Sequence, residues 1–235
     1  MHGSPDQTVI EDTTAQPALS LGQSILRSSI GLGIFAVVTA GVIAITQLGT
    51  SATIADNIQK AQSRTLYELV PAHLLDNDPL KDTVSLQPDA TLGNKTVVNV
   101  HIARKQGQVV ALLFPVTNPH GYSGNIDMLV AVNANGELAG VRVLSHKETP
   151  GLGDKVETKK SSWIHSLTGL SLEKLGLEGW RVKKDGGQID QFTGATITPR
   201  AVVGQTRAVL QYFEQHKAEL LNHRVVAPSH TSTAQ

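Results

Sequence analysis

The stretch "DQFTGATITPRAVV" (Asp190–Val203) sets three hydroxyls within six residues, Thr193, Thr196 and Thr198, around a Gly194-Ala195 pair. A plain connecting turn has no use for such a cluster. Thr198 is a good N-cap, Pro199 suits a first helical position, and the apolar residues beyond recur at helical spacing, so the threonines stand where a helix begins. A helix N-terminus offers unbonded backbone N–H groups and the positive end of the macrodipole, which together attract an anion. No lysine follows the glycine and there is no glycine-rich run, so the phosphate-loop pattern is absent. An anion here is held by N–H groups and hydroxyls, or is bonded to a hydroxyl. The same residues also fit a simpler reading, three threonines in a capped turn, and local physics leaves both open.

A second stretch, "KETPGLGDK" (Lys147–Lys155), is a turn at Pro150-Gly151 followed by Gly153, which leaves Leu152 projecting with little bulk beside it. Such a loop can lay its backbone against a flat ring. It also reads as an ordinary surface loop with a charge at each end.

Other chemistries have less support. Zero cysteines exclude disulfides, thiolate metal sites and ordinary iron–sulfur clusters carried by this chain alone. The nine histidines show no pair at helical metal spacing. His120, His146 and His165 read as solvent-facing or capping residues, and no metal site is expected. Ser123 in "HGYSG" lacks the Gly-x-Ser-x-Gly elbow of a hydrolase. Trp163 and Trp180 read as core residues. Twenty basic side chains balance twenty acidic ones, and no basic cluster marks a nucleic-acid surface.

The elements that must position the two loops follow from periodicity. "TVVNVHIAR" (96–104) and "QVVALLFPV" (108–116) flank a turn, as do "IDMLVAVN" (126–133) and "ELAGVRVLSH" (137–146), where Gly136 can take positive φ. Four such runs joined by short turns predict an antiparallel sheet. "SSWIHSLTGL" reads as a short helix and "WRVKK" as a returning strand. In the last helix Val202, Thr206, Val209, Phe213 and Leu220 share one face. The fold class is α+β, an antiparallel-rich sheet packed by helices.

From Ser28 to Ala55 no residue is charged, and Ile30–Leu48 is apolar on all sides. About twenty such residues span the roughly 30 Å hydrocarbon core of a bilayer. The length of polar chain before this stretch favours a retained anchor over a cleaved signal peptide. Gly33, Ala36, Ala40 and Ala44 fall on one face of it, where a neighbouring helix can approach. Arg27 before the span and Lys60 and Arg64 after it leave the orientation undecided. The expected organisation is a polar tail (1–27), a transmembrane helix (28–49), a helical linker (50–85) stopped at Pro71, a folded domain (86–223) and a disordered tail (224–235).

The two loops together, "ETPGLGDK" followed by "DQFTGATITPRAVV", resemble the G subunit of the Rnf-type electron transport complex. The family's attachment pattern, Asp-x-x-Ser/Thr-Gly-Ala-Thr, is matched by Asp190, Thr193, Gly194, Ala195 and Thr196. The resemblance extends over most of residues 25–215. It implies FMN joined covalently through its phosphate to Thr196, with Thr193, Gly194, Ala195 and Thr198 shaping the turn. Glu148, Thr149, Gly151, Leu152 and Gly153 are expected to border the flavin ring. It further implies a bacterial inner-membrane protein of a single span with its flavin domain in the periplasm. A periplasmic flavin transferase acts in its maturation, and the other membrane and peripheral subunits of the complex are its partners. Such a chain is an electron-carrying subunit rather than an independent enzyme. Two alternatives remain: the related C subunit of the Na⁺-translocating NADH:quinone reductase, and a membrane-anchored binding module without redox chemistry.

Overall fold

The computed structural model describes residues 21–89 and 91–222. Of the polar tail expected at residues 1–27, residues 1–20 lie outside them, as does the tail expected at 224–235, whereas residues 21–27 are helical. The chain divides into two units, residues 1–58 and 59–235.

Helix α1 (Leu21–Leu69) supplies the described part of the first unit. Its Ile25–Thr50 stretch is long and apolar enough to cross a membrane, and its large apolar side chains are exposed. The hydroxyls of Thr39, Thr46 and Thr50 each donate to the carbonyl one turn earlier, at 2.8 Å. Those polar groups are thereby satisfied without water, which a bilayer interior requires. The small-residue face of Gly33, Ala36, Ala40 and Ala44 lies exposed. The helix ends just before Pro71, which lacks the N–H needed to continue it.

The second unit is built on one antiparallel sheet in the order β1-β2-β3-β4-β5. Its strands are β1 (Thr83–Leu86), β2 (Val98–Lys105), β3 (Gln108–Asn118), β4 (Ile126–Asn133) and β5 (Leu138–Ser145). The expected hairpins are present. The β2–β3 turn places Gln106 (φ 53°) and Gly107 (φ 74°) both in the left-handed region that two-residue hairpins demand. Strand β1, within the stretch expected as a helical linker, pairs Val84 with Val100 on the outer edge of β2.

Both faces of the sheet are covered, which explains the near-continuous apolar run of β3. On one face Ile102, Leu112, Phe114, Met128 and Val130 pack with Val202, Val209 and Phe213 of helix α3 (Ile197–Leu221). On the other, Ala103, Ala111, Leu113 and Ala131 pack beneath Leu66, Leu69 and Val70 at the end of α1. The five α3 residues expected on one face, Val202, Thr206, Val209, Phe213 and Leu220, are all buried. Between sheet and α3, "SSWIHSLTGL" forms a 3-10 turn (Trp163–Leu167), and a short helix α2 (Leu172–Gly179) follows. "WRVKK" forms no strand. It makes one isolated parallel bridge, Val182 to Ile189, and turns at Lys183–Asp185. Trp180 is a core residue, its indole N–H donating to the Ser171 carbonyl at 3.0 Å.

Candidate functional site

The threonine turn is anchored before it is decorated. Phe192 is buried, with its ring edge-on to Trp163 at 5.0 Å, and the Trp163 indole N–H donates to the Asp190 carbonyl at 2.7 Å. Trp163 thus serves the packing of this turn. From Phe192 the chain reverses through Thr193 and Gly194, closed by the Ala195 N–H on the Phe192 carbonyl at 3.2 Å. Gly194 takes φ +82°, a conformation that a side chain would strain.

Helix α3 begins at Ile197, two residues earlier than expected, and this changes the roles of the threonines. Thr196 occupies the cap position and makes no side-chain cap hydrogen bond. Thr198, expected as the cap, lies inside the first turn and is 1% exposed. Its hydroxyl donates to the Glu148 carboxylate instead. Pro199 is third in the helix rather than first, where its missing N–H still breaks no helical bond. The N–H groups of Ile197 and Thr198 have no acceptor one turn back, so they remain for an anion at the helix start. Arg200 does not face such an anion, since it grips Asp185 through two hydrogen bonds of 2.5 and 2.8 Å. That contact holds the Asp185 carboxyl below its ordinary pKa.

The second predicted loop comes to the first. The Thr149 carbonyl accepts from the N–H groups of Leu152 and Gly153, at 3.1 and 3.0 Å, which folds "TPGLG" into a tight turn. Leu152 is exposed, and its side chain lies 3.9 Å from where a Cβ on Gly194 would be. Gly153 is buried, and a Cβ there would stand 2.7 Å from the Thr198 hydroxyl. Thr149 and Gly151 are placed on the same turn, which Leu152 tops.

Glu148 is placed differently from the ring-bordering position expected for it. It is 4% exposed, and its carboxylate accepts from the N–H groups of Tyr122 (3.3 Å) and Ser123 (2.9 Å) as well as from Thr198. Its own N–H donates to His146 Nδ1 at 3.0 Å, so His146 caps this turn. With Nδ1 accepting, the neutral imidazole carries its proton on Nε2, which faces Glu157 at 2.8 Å. Beyond His146 lies a groove of about 850 Å³, lined by Arg64, Arg142 and Lys159 among others and by no residue of the threonine turn. The β3–β4 loop at Gly121–Ser123 is a part of the site that sequence reading passed over. Only its tertiary contact with Glu148 reveals it, although the two glycines of "HGYSG" signalled a tight loop. Tyr122 projects from it, 69% exposed.

Exposed Leu152 and Tyr122 therefore stand on loops joined through one carboxylate, beside a helix start and an unengaged threonine. That arrangement can receive a flat apolar ring bearing a phosphate. Among the described residues no cluster of His and carboxylates could hold a metal ion.

Comparison with known proteins agrees with this chemistry. Residues 121–211 match the model of the FMN-binding domain, and residues 18–69 match that of the RnfG N-terminal region. The G subunit of the ion-translocating oxidoreductase complex of Pseudomonas aeruginosa is 46% identical over 85% of this chain and 93% of its own length. Its counterpart in Cereibacter sphaeroides is 45% identical over 90% of this chain and 96% of its own, and that in Shewanella piezotolerans 42% over 85% and 94%. A crystal structure of Shewanella oneidensis NqrC is also similar, at 24% identity and TM-score 0.42 over 63% of this chain and 76% of that one. The chain belongs to the family of G subunits of ion-translocating oxidoreductase complexes, with an FMN-binding domain and one apolar N-terminal helix suited to a single-pass anchor.

Proposed function

We propose that this protein carries electrons through an FMN bonded covalently to Thr196, in a domain that faces the periplasm. The observation that carries the reading is the contrast between two hydroxyls. The Thr198 hydroxyl is buried and committed to Glu148, whereas Thr196, partly exposed at the cap of α3, makes no cap bond. Thr196 is also the last threonine of the Asp-x-x-Thr-Gly-Ala-Thr pattern.

Attachment requires a donor of activated FMN, which FAD supplies. The Thr196 Oγ1 forms a bond to the FMN phosphorus, the bond from that phosphorus to AMP breaks, and the hydroxyl proton leaves with AMP or solvent. A separate flavin transferase performs the step: among the described residues no group of His and carboxylates could hold a metal ion to activate the hydroxyl. The phosphodiester is then negative, and the N–H groups of Ile197 and Thr198 favour it. Gly194 keeps the turn open, and the "TPGLG" turn with Leu152, together with Tyr122, borders the ring. When bound, FMN supplies the redox chemistry, while the protein fixes its position and tunes its potential. A covalent bond suits a compartment in which lost FMN is not replaced.

The other subunits of the complex are its electron donor and acceptor, and α1 holds it among them. The test is a denaturing gel of the membrane-expressed chain. A fluorescent band that survives denaturation is expected when transferase is present and none when it is absent. A band that loses its flavin on denaturation refutes the covalent link.

A further inference from the structure

We infer that Glu148 is a positioning residue that holds three segments of the site together and directs phosphoryl attachment to Thr196 rather than Thr198. The attachment part rests on the function proposed above, whereas the structural part does not.

A carboxylate only 4% exposed is costly unless its oxygens are satisfied, and here three donors converge on it. They come from distant parts of the chain: the N–H groups of Tyr122 and Ser123 in the β3–β4 loop, and the hydroxyl of Thr198 in the first turn of α3. The "TPGLG" turn follows Glu148 directly, so it is tied to the same point. Two glycines make room for the carboxylate. A Cβ on Gly121 would stand 2.8 Å from Glu148 Oε1, and one on Gly153 would stand 3.0 Å from Oε2. Tyr122, Leu152 and Thr196 all ride on backbone fixed within a few bonds of this group, although Glu148 itself is too buried to face a ring.

The same contact selects the hydroxyl. Thr198 donates its proton to a buried acceptor and is 1% exposed, so an incoming phosphorus cannot reach it. Pinning Thr198 also pins the first turn of α3, which sets the direction of the N–H groups next to Thr196.

The test uses the full-length chain in detergent, as wild type, Glu148→Gln, Thr198→Val and Thr198→Ser. Labelling by purified flavin transferase with FAD is timed, and amide hydrogen exchange is measured on the unlabelled chains. Glu148→Gln and Thr198→Val should each slow labelling about tenfold or more, the scale of one hydrogen bond to a charged acceptor, and Thr198→Ser should restore it to within about twofold. In both slow variants, exchange should rise together at Tyr122–Ser123, in 149–153 and at the start of α3, and stay unchanged in β3 and β4. Labelling at the wild-type rate in Thr198→Val, or a rescue by Thr198→Ser no better than by valine, overturns the selection of Thr196. Unaltered exchange at Tyr122–Ser123 in Glu148→Gln overturns the clamp. If the wild type itself takes no label, the proposed function fails, and the exchange arm still decides the clamp.

Discussion

Substituting Gly153 with alanine tests the packing around Glu148 through a single added methyl group. A Cβ at this position would lie 2.7 Å from Thr198 Oγ1, 2.9 Å from Glu148 Cβ and 3.0 Å from Glu148 Oε2, against an ordinary contact of 3.4–4 Å. None of these atoms is a loose end. Both side chains are buried, and they are bonded to each other. Gly153 is not among the glycines with positive φ, so alanine suits its backbone and the cost is steric. Overpacking of this kind costs about 1–3 kcal/mol, and part of a charged hydrogen bond is lost with it, so about 2–3 kcal/mol is expected. For a folded unit of this size that is a fall in Tm of about 4–12 °C. Thermal unfolding of the full chain in detergent, followed by the fluorescence of Trp163 and Trp180, reports it. Gly151→Ala is the control: nothing lies within 4 Å of its Cβ, and only its φ of +78° opposes a side chain, at about 1 kcal/mol. Removing the struck atom in Gly153→Ala/Thr198→Ala should cost less than the two single changes summed. The reasoning fails if Gly153→Ala melts no lower than Gly151→Ala, or if the double variant is additive.

Three further outcomes follow from the fold. Phe213→Ala, which empties a fully buried site between α3 and the sheet, should cost about 3–5 kcal/mol in the same melt, and a loss under about 1 kcal/mol would contradict the packing. Burial holds the His101 imidazole below its ordinary pKa of 6.5, opposed in part by its 2.9 Å hydrogen bond to the Pro79 carbonyl. The unfolded chain therefore binds more protons between that lowered value and 6.5, and stability falls as the pH drops through this window. His101→Gln retains a donor for Pro79 and should flatten the dependence, and an unchanged slope refutes the assignment. The hydrogen bond from Arg200 holds Asp185 below its usual pKa, so the pair stabilises above the ordinary carboxylate range and is lost as pH falls through the lowered value. Asp185→Asn should make the acid limb of a stability–pH profile shallower by a small amount, because both side chains reach solvent.

How far the sequence could be read depended on how local each cause is. The hairpins were legible because alternation and a positive-φ glycine such as Gly136 act within a few residues. Helix α3 was legible from the spacing of Val202, Val209 and Phe213. Its start was misplaced because proline fits anywhere in the first turn, so Pro199 could not choose between Thr196 and Thr198 as the cap. Strand β1 escaped notice because four residues carry too little periodicity. "WRVKK" alternates like a strand, yet Lys183–Asp185 turn away after one bridge. In the site, the two loops were visible, but the bond between them was not. Glu148 and Thr198 are 50 residues apart, and no local pattern announces which carboxylate a threonine will meet. A charged residue in "KETPG" reads as surface until the N–H groups of Tyr122 and Ser123 are found aimed at it.

The central claim is that Thr196 carries the flavin. Its most direct measurement is peptide mass mapping of the chain isolated from membranes that contain the flavin transferase, for the wild type, Thr196→Ser and Thr196→Ala. The account predicts FMN phosphodiester on Thr196 alone in the wild type and at least partial labelling of the serine variant. The alanine variant should be folded but unlabelled, since a side-chain change at this partly exposed turn costs little stability. FMN mapped to Thr193 or Thr198, or a labelled Thr196→Ala chain, would contradict it.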